Sequence, residues 1–184
     1  AHSKLVGLYF AAAWCRVCTP VTKRIERILG AELLAPPSRG YHPPSDRASM
    51  SLVYVSSDNS ENAFRSYQGR NWMAVPFQSS EMDAVKRHFS VCSKPEVDSL
   101  GIDRKFEIPT LLIIDAETQT IITTSGVDDL EEYQENAIDH WIDLQNLMRA
   151  MEDKYGEDDE TGGFLKAPER RLHHHADSYS SLFA

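Results

Sequence analysis

Short apolar runs alternate along the chain with segments of helical periodicity. The runs that predict strands are residues 4–10, 51–57, 108–115 and 120–124, with a short extended piece at 72–77. Segments whose apolar residues recur every three or four positions predict helices over residues 14–30, 58–68, 79–89 and 129–151. Strands joined through helices should be parallel, whereas the last two strands should form a hairpin. The pattern therefore predicts an α/β domain with a central mixed sheet flanked by helices.

Finer features of the pattern predict where the helices begin and end. The apolar face of the first helix is predicted to comprise Val17, Val21, Ile25, Ile28 and Leu29, with Gly30 as the expected stop. Asp58 or Asn59 is expected to cap the second helix, and Ser80 with Asp83 to form a capping box at the third. These signals predict that the first helix follows the first strand directly in the sequence.

Three segments do not fit the pattern of strands and helices. Residues 35–49 are rich in proline, serine and charge, and residues 91–105 are polar and interrupted by proline and glycine. Both are predicted to be loop insertions. The last part of the chain is acidic and lacks an apolar pattern. We therefore expect one domain over residues 1–151, followed by a flexible acidic tail over residues 152–184.

The composition narrows the class of protein. A net charge of −9 argues against non-specific nucleic-acid binding, and no apolar run reaches the roughly 20 residues that span a membrane. Three cysteines are too few for a disulfide framework, which favours a reducing compartment. We expect a monomer in the cytoplasm, with the nucleus or an organelle left open. Residues 1–30 are locally basic, because five lysines and arginines accompany a single glutamate there.

The candidate chemistry lies in the Trp-Cys-Arg-Val-Cys stretch that follows the first strand. Cys15 and Cys18 are two residues apart at the predicted start of a helix, where backbone N–H groups and the helix dipole favour a thiolate. Cys15 is the expected nucleophile and Cys18 the thiol that resolves a mixed disulfide. Arg16 adds a fixed positive charge beside that thiolate. We hypothesise a redox couple more oxidising than the roughly −270 mV of thioredoxin.

Two other interpretations of the cysteine pair stay open at this point. The thiols could be incidental, or they could be half of a zinc site completed by His88 and Cys92, which have a spacing of four residues. The Glu-Ile-Pro-Thr stretch at 107–110 favours the redox interpretation. A proline that opens a strand opposite such a pair can be cis, and it then leaves neighbouring backbone groups free to bind a substrate chain.

Together with these motifs, the order of several segments resembles the tryparedoxin and nucleoredoxin group of the thioredoxin-fold superfamily. The resemblance spans about residues 4–150 and rests on LYFAAAWCRVC, SLVYVSSDNSENAFRSYQGR, NWMAVPF and FEIPTLLIIDAETQTII. It implies a thioredoxin-like fold with loop insertions and a C-terminal tail. The group combines a WCxxC motif with a Trp-x-x-x-Pro-Phe segment and an Ile-Pro-Thr loop, a combination that ordinary thioredoxins lack.

The resemblance also implies roles for individual residues. Cys15 would attack and Cys18 would resolve, with Tyr9 behind the pair and Ile108 with a cis Pro109 facing it. Trp14 and Trp72 would shape the substrate surface, although each could instead be a packing aromatic. The group usually has two prolines between its cysteines, where this chain has Arg16 and Val17. This departure bears on the electron donor, the partner proteins and the reduction potential that the resemblance would otherwise imply. Cys92 is expected to be a bystander or a secondary redox site.

The sequence therefore predicts a thiol–disulfide oxidoreductase that reduces or exchanges protein disulfides without a metal or organic cofactor. Its expected partners are disulfide-containing proteins, including peroxidase-type proteins. The expected reductant is an external dithiol or thiol, such as trypanothione, glutathione or a thioredoxin-type donor. The alternative is a thioredoxin-fold binding module with little redox activity, which acts by holding a partner protein through its insertions and tail.

Overall fold

The structure is a computed structural model that describes residues 4–34, 49–69 and 72–156. The strands are β1 (Lys4–Ala11), β2 (Ser49–Ser56), β3 (Met73–Ala74), β4 (Thr110–Asp115) and β5 (Ile121–Thr123). The helices are α1 (Cys18–Leu34), α2 (Glu61–Tyr67), α3 (Ser80–Phe89), α4 (Val97–Leu100), α5 (Gly126–Glu132) and α6 (Ala137–Gly156). Short 3-10 turns precede α4 and α6.

The five strands form one mixed sheet in the order β3-β2-β1-β4-β5. β1 pairs in parallel with β2, and β2 in parallel with β3. β4 pairs antiparallel with both β1 and β5. The predicted mixed sheet, with parallel early strands and a final hairpin, is therefore confirmed. Helices α1 and α3 contact β2, and α5 contacts β4, so the sheet is flanked by helices.

The core lies along the two central strands. Every residue of β4 is buried, and the side chains of β1 from Leu5 onward are buried as well. A strand that is paired on both edges and covered by helices needs apolar side chains on both faces of the sheet. This explains the continuous apolar sequences of β1 and β4. Because β1 occupies the middle of the sheet, the segment that follows it is held at a fixed position. That segment contains the cysteine pair.

The first helix differs from its prediction at both ends. It begins at Cys18 rather than Trp14 and continues through Gly30 to Leu34. Val17 therefore precedes the helix, and its side chain is 64% exposed rather than part of the apolar face. Val21, Ile25 and Ile28 are buried as predicted.

Helix caps and later boundaries also differ in detail. The N-cap of α2 is Ser60, and the N-cap of α3 is Ser79, so each cap lies within two residues of the predicted one. The segment predicted as one helix over 129–151 is divided into α5 and α6 by a turn at residues 134–136. The 91–105 insertion is an ordered segment that contains α4. Among the described residues, no helix is both long enough and apolar enough to cross a membrane.

The chain divides into two compact units, residues 1–145 and residues 146–184. The first unit contains the whole sheet and the cysteine pair. Residues 35–48 and the predicted tail beyond residue 156 lie outside the described residues. The predicted division between a domain and a tail therefore stays a prediction.

Candidate active site

Cys15 and Cys18 form a disulfide at the N-terminus of α1, with their Cα atoms 5.2 Å apart. The backbone N–H of Cys18 donates to the carbonyl oxygen of Cys15 at 3.1 Å and to its Sγ atom at 3.2 Å. One of the N–H groups at the start of the helix, where no intrahelical acceptor is available, is therefore aimed at the Cys15 sulfur. A donor in this position favours a negative charge on that sulfur when the disulfide is reduced.

The two sulfur-bearing residues differ in access. Cys18 is fully buried, whereas Cys15 is 6% exposed and lines an open groove. An attacking partner can reach the sulfur that lines the groove, and the buried one is protected. This asymmetry matches the expected roles of Cys15 as attacking thiol and Cys18 as resolving thiol, which stay predictions.

A buried hydroxyl network lies behind the pair. The Tyr9 hydroxyl donates to the Cys18 carbonyl oxygen at 3.3 Å and shares a hydrogen bond of 2.9 Å with the Thr22 hydroxyl. Thr22 is also within 2.6 Å of the Tyr67 hydroxyl. Burial raises the pKa of Tyr9 far above its usual value of 10. Tyr9 therefore stays neutral at physiological pH and holds the first turn of α1 by hydrogen bonding.

A second network at the end of β2 positions the residues just before Cys15. The Asp58 carboxylate accepts hydrogen bonds from the Ala13 N–H and the Tyr54 hydroxyl, each at 2.8 Å. The Trp14 indole N–H donates to the Ser57 carbonyl oxygen at 2.9 Å. This hydrogen bond fixes the indole nitrogen of Trp14. The residue is 47% exposed, so the rest of its ring is open to solvent. This partial exposure beside Cys15 favours the expected place of Trp14 at the substrate surface, which stays a prediction.

The groove beside Cys15 has a volume of about 350 Å³, within the range of small-ligand sites. One part of its wall comes from the cysteine motif, and another comes from the 91–105 insertion. Its lining residues are Trp14, Cys15, Arg16, Val17, Ser93, Lys94, Pro95, Arg104, Glu107 and Ile108. The Ile108–Pro109 peptide bond is cis, as expected. The structure therefore brings most of the predicted site residues to one surface.

A buried ion pair supports the insertion that forms part of this wall. Lys86 in α3 is 3% exposed and donates to the Glu96 carboxylate, whose side chain is 23% exposed. The same carboxylate accepts from the Ser93 N–H at 2.9 Å and from the hydroxyls of Ser57 and Ser93, each at 2.6 Å. Burial alone would raise the pKa of Glu96, but these donors outweigh it, and the net effect lowers that pKa.

Trp72 is the aromatic residue for which the sequence left two roles open. It is 7% exposed, packs edge-on against Tyr9, and does not line the groove. Gly69 lies against the Trp72 indole, where any Cβ atom would overlap the ring. The burial of Trp72 against Tyr9 favours the packing alternative, and its expected part in the substrate surface stays a prediction.

The residues of the zinc interpretation are not gathered at the cysteine pair. His88 is exposed on α3, whereas Cys92 is fully buried. Among the described residues, no group of three His, Cys, Asp or Glu side chains could hold a metal ion. Burial, followed by the nearby Glu96 carboxylate, raises the pKa of the Cys92 thiol. This environment favours a bystander role for Cys92.

Several residues of the site were missed in the sequence. Asp58 was expected to cap a helix, and the 91–105 insertion was expected to be an irregular loop. Ser93 and Glu96 form a capping box within that insertion. Their Ser-x-x-Glu spacing was a readable signal for an ordered turn. No sequence signal indicated that Lys86 would be the partner of Glu96.

Comparison with known proteins agrees with this geometry. A family model described as Thioredoxin-like matches residues 3–120, and the chain therefore belongs to the thioredoxin-like family. It is 30% identical to tryparedoxin of Trypanosoma brucei brucei over 125 residues, which are 67% of this chain and 69% of that protein. The solved structure of tryparedoxin from Trypanosoma brucei has a TM-score of 0.53 and 27% identity, over 76% of this chain and 81% of that one.

Nucleoredoxins are also among the relatives. Probable nucleoredoxin 1 of Arabidopsis thaliana is 26% identical over 152 residues, or 82% of this chain. The chain spans only 22% of the length of that protein. The predicted thioredoxin-like fold and the resemblance to the tryparedoxin and nucleoredoxin group are thus confirmed. The pair has the Cys-x-x-Cys arrangement of a thioredoxin-family oxidoreductase.

Proposed function

We propose that this protein is a thiol–disulfide oxidoreductase that reduces or exchanges protein disulfides through Cys15 and Cys18. The observation that carries the proposal is the disulfide at the head of α1, with one sulfur-bearing residue lining a groove and the other fully buried. A pair with two equally buried sulfurs would be inaccessible to a substrate. A pair with two exposed sulfurs would not distinguish attack from resolution.

The proposed reaction begins with the reduced protein. The Cys15 thiolate attacks one sulfur of the substrate disulfide, forms a new S–S bond and releases the other substrate sulfur as a thiolate. The Cys18 thiol loses its proton and attacks Cys15 in the mixed disulfide. The second substrate thiolate is then released, and the Cys15–Cys18 disulfide remains. Two electrons pass from the protein to the substrate, and the two released thiolates take up two protons.

The surrounding residues have distinct parts in this reaction. The Cys18 N–H stabilises the Cys15 thiolate, and Tyr9 fixes the turn that presents it. Ile108 lines the groove next to Cys15. Its cis bond to Pro109 is the expected place for backbone contacts with a substrate chain. Trp14 and Val17 offer exposed apolar surface at the groove.

The reaction needs an external dithiol or thiol to reduce the Cys15–Cys18 disulfide again. We propose a small dithiol of the trypanothione type, glutathione or a thioredoxin-type protein as the donor. The proposed substrates are disulfide-bonded proteins, with peroxidase-type proteins among them. The relationship to tryparedoxins supports these assignments.

The direct test is the reduction potential of the pair. The protein is equilibrated in graded dithiothreitol or glutathione buffers, free thiols are alkylated, and masses are read, with Cys15→Ser as control. A reversible two-electron transition that is lost in the variant supports the proposal. If no transition occurs, the protein is instead a binding module. A partner-binding assay in which Cys15→Ser retains full binding without turnover would identify that second function.

A further inference from the structure

We infer that the groove beside Cys15 selects disulfides flanked by carboxylates, which are carried either by an acidic peptide or by the glutathione half of a mixed disulfide. The inference rests on the proposed function and names the substrate class of that same site. The charge of the groove wall is opposite in sign to the charge of the whole chain.

Three cations and one carboxylate line the groove. The cations are Arg16, Lys94 and Arg104, and the carboxylate is Glu107. Glu107 forms an ion pair with Arg104, so these two charges compensate each other and the excess positive charge comes from Arg16 and Lys94. Arg16 and Lys94 form no ion pair with any residue in the described part of the chain. A groove of this kind attracts carboxylates, although the protein carries a net charge of −9.

The cations approach Cys15 from two separate segments. Arg16 is the residue next to Cys15 in the chain, whereas Lys94 and Arg104 belong to the 91–105 insertion. A substrate cysteine with a carboxylate near it can therefore bind to the insertion while its sulfur meets Cys15. Arg16 lines the same groove, and its positive charge favours release of the second sulfur as a thiolate.

The insertion is held in place before a substrate arrives. Lys94 lies directly after Ser93 and two residues before Glu96, both of which belong to the buried network around Lys86. This network fixes the backbone that carries Lys94, so less conformational freedom is lost when a carboxylate binds there. The Glu96 carboxylate is paired with the buried Lys86 and therefore does not cancel the charge of the groove.

The test uses the pre-reduced 184-residue protein in single turnovers without added reductant. Three blocked peptides of one sequence each carry a single cysteine flanked by glutamate, glutamine or lysine, and are supplied as disulfide dimers. A fourth substrate is the glutamine peptide joined to glutathione. Electrons come from the Cys15 and Cys18 thiols, and two substrate thiols form for each enzyme disulfide: two peptide thiols from a peptide dimer, or one peptide thiol and one glutathione from the fourth substrate. Each rate is divided by the rate of reduction by dithiothreitol, which corrects for intrinsic differences between the disulfides.

The expected result is a preference for the glutamate peptide over the glutamine peptide of about tenfold at low ionic strength. The preference should shrink in 0.5 M salt, because the charges on the groove are partly exposed. A gain for the glutathione disulfide alone would identify glutathione as the source of the carboxylates. A gain for the glutamate peptide would identify an acidic peptide.

Variants distinguish the effect of the groove charges on the rates from the effect of the overall charge of the protein. Lys94→Gln should reduce the preference by about two- to fivefold, and Glu107→Gln should increase it. Lys105→Gln is the matched control, because Lys105 is exposed and does not line the groove, and it should leave all rates unchanged.

The outcomes distinguish this inference from the proposed function. If all four substrates are reduced at equal corrected rates, or the lysine peptide is favoured, the selectivity is disproved and the oxidoreductase function stands. If no substrate is reduced, both fail. The inference would also be overturned if Lys94→Gln and Lys105→Gln reduced the preference for the glutamate peptide equally. The preference would then reflect the overall charge of the protein and not the groove.

Discussion

Lys86 and Glu96 form an ion pair that supports the wall of the active-site groove, with the Lys86 side chain almost fully buried. The Glu96 carboxylate also accepts from Ser57 at the end of β2 and from Ser93 in the insertion. One carboxylate thus connects helix α3, the strand end and the groove wall. Buried charges of this kind are costly to separate, since the remaining partner would stay unpaired.

The first prediction concerns the pH dependence of stability. The pKa of Glu96 is lowered in the folded protein from its usual 4.5. Its contribution to the free energy of unfolding is therefore present above pH 4.5 and is lost as the pH falls through the folded pKa. Glu96→Gln should lose about 3 kcal/mol at pH 7 and show a weaker acid dependence than wild type.

Urea unfolding between pH 3 and pH 7 measures this effect. The matched control is Glu61→Gln, which removes a carboxylate paired with Arg65 on the exposed surface of α2. That change should cost less than about 1 kcal/mol. Equal losses in the two variants would show that burial of the Lys86–Glu96 pair contributes nothing.

The second prediction concerns the different roles of the two active-site cysteines. With a disulfide substrate, Cys18→Ser should accumulate a mixed disulfide at Cys15, because the resolving thiol is absent. Cys15→Ser should form no such complex, because Cys18 is fully buried. Mass spectrometry under non-reducing conditions detects the adduct. A complex trapped equally well by both variants would contradict the assignment.

The third prediction concerns the charge of Arg16. The potential of the wild-type pair should lie above the roughly −270 mV of thioredoxin, because Arg16 and the Cys18 N–H both favour the thiolate. Arg16→Gln should lower the potential by roughly 10 to 20 mV, since the Arg16 side chain is exposed and its charge is screened. Lys23→Gln, which removes an exposed charge farther along α1, is the control. A wild-type value at or below that of thioredoxin would refute the hypothesis.

The fourth prediction concerns the tyrosines behind the pair. Burial raises the pKa of both Tyr9 and Tyr54 well above 10. Their contribution to folding is fully present below pH 10 and is lost as the pH rises through the folded pKa values. Both should fail to ionise near pH 10 in the folded protein, and Tyr9→Phe should cost about 1 kcal/mol of stability.

Ultraviolet titration of tyrosinate provides the measurement. Tyr9→Phe should leave the number of tyrosines that ionise in the folded protein near pH 10 unchanged, because the removed hydroxyl does not titrate there. A drop in the ionising population for Tyr9→Phe would show that Tyr9 is accessible.

The parts of the fold that the sequence predicted are those that local pattern determines. The apolar runs located β1, β2 and β4, and the spacing of Cys15 and Cys18 located the active-site pair. Val17 was misplaced because helical periodicity does not show where a helix begins. The Cys18 N–H is directed to the oxygen and sulfur of Cys15, which fixes the start of α1 one residue after Val17.

The rest of the site depends on contacts between distant residues. Lys86 and Glu96 are ten positions apart in the sequence. Residue type alone predicts that both lie on the surface, because lysine and glutamate side chains normally face solvent. Only the folded arrangement makes them a buried pair. The sequence left two roles open for Trp72 for the same reason, since its burial depends on contacts with Tyr9 and Gly69.

The full burial of Cys18 sets the timing of the proposed reaction. A substrate held on Cys15 is released by a thiol that is already next to it, so the release rate does not depend on the concentration of any free thiol. The lifetime of the covalent complex therefore depends on how readily the Cys18 sulfur reaches the Cys15 sulfur. A partner that keeps these two sulfurs apart would convert a transient exchange reaction into a long-lived association.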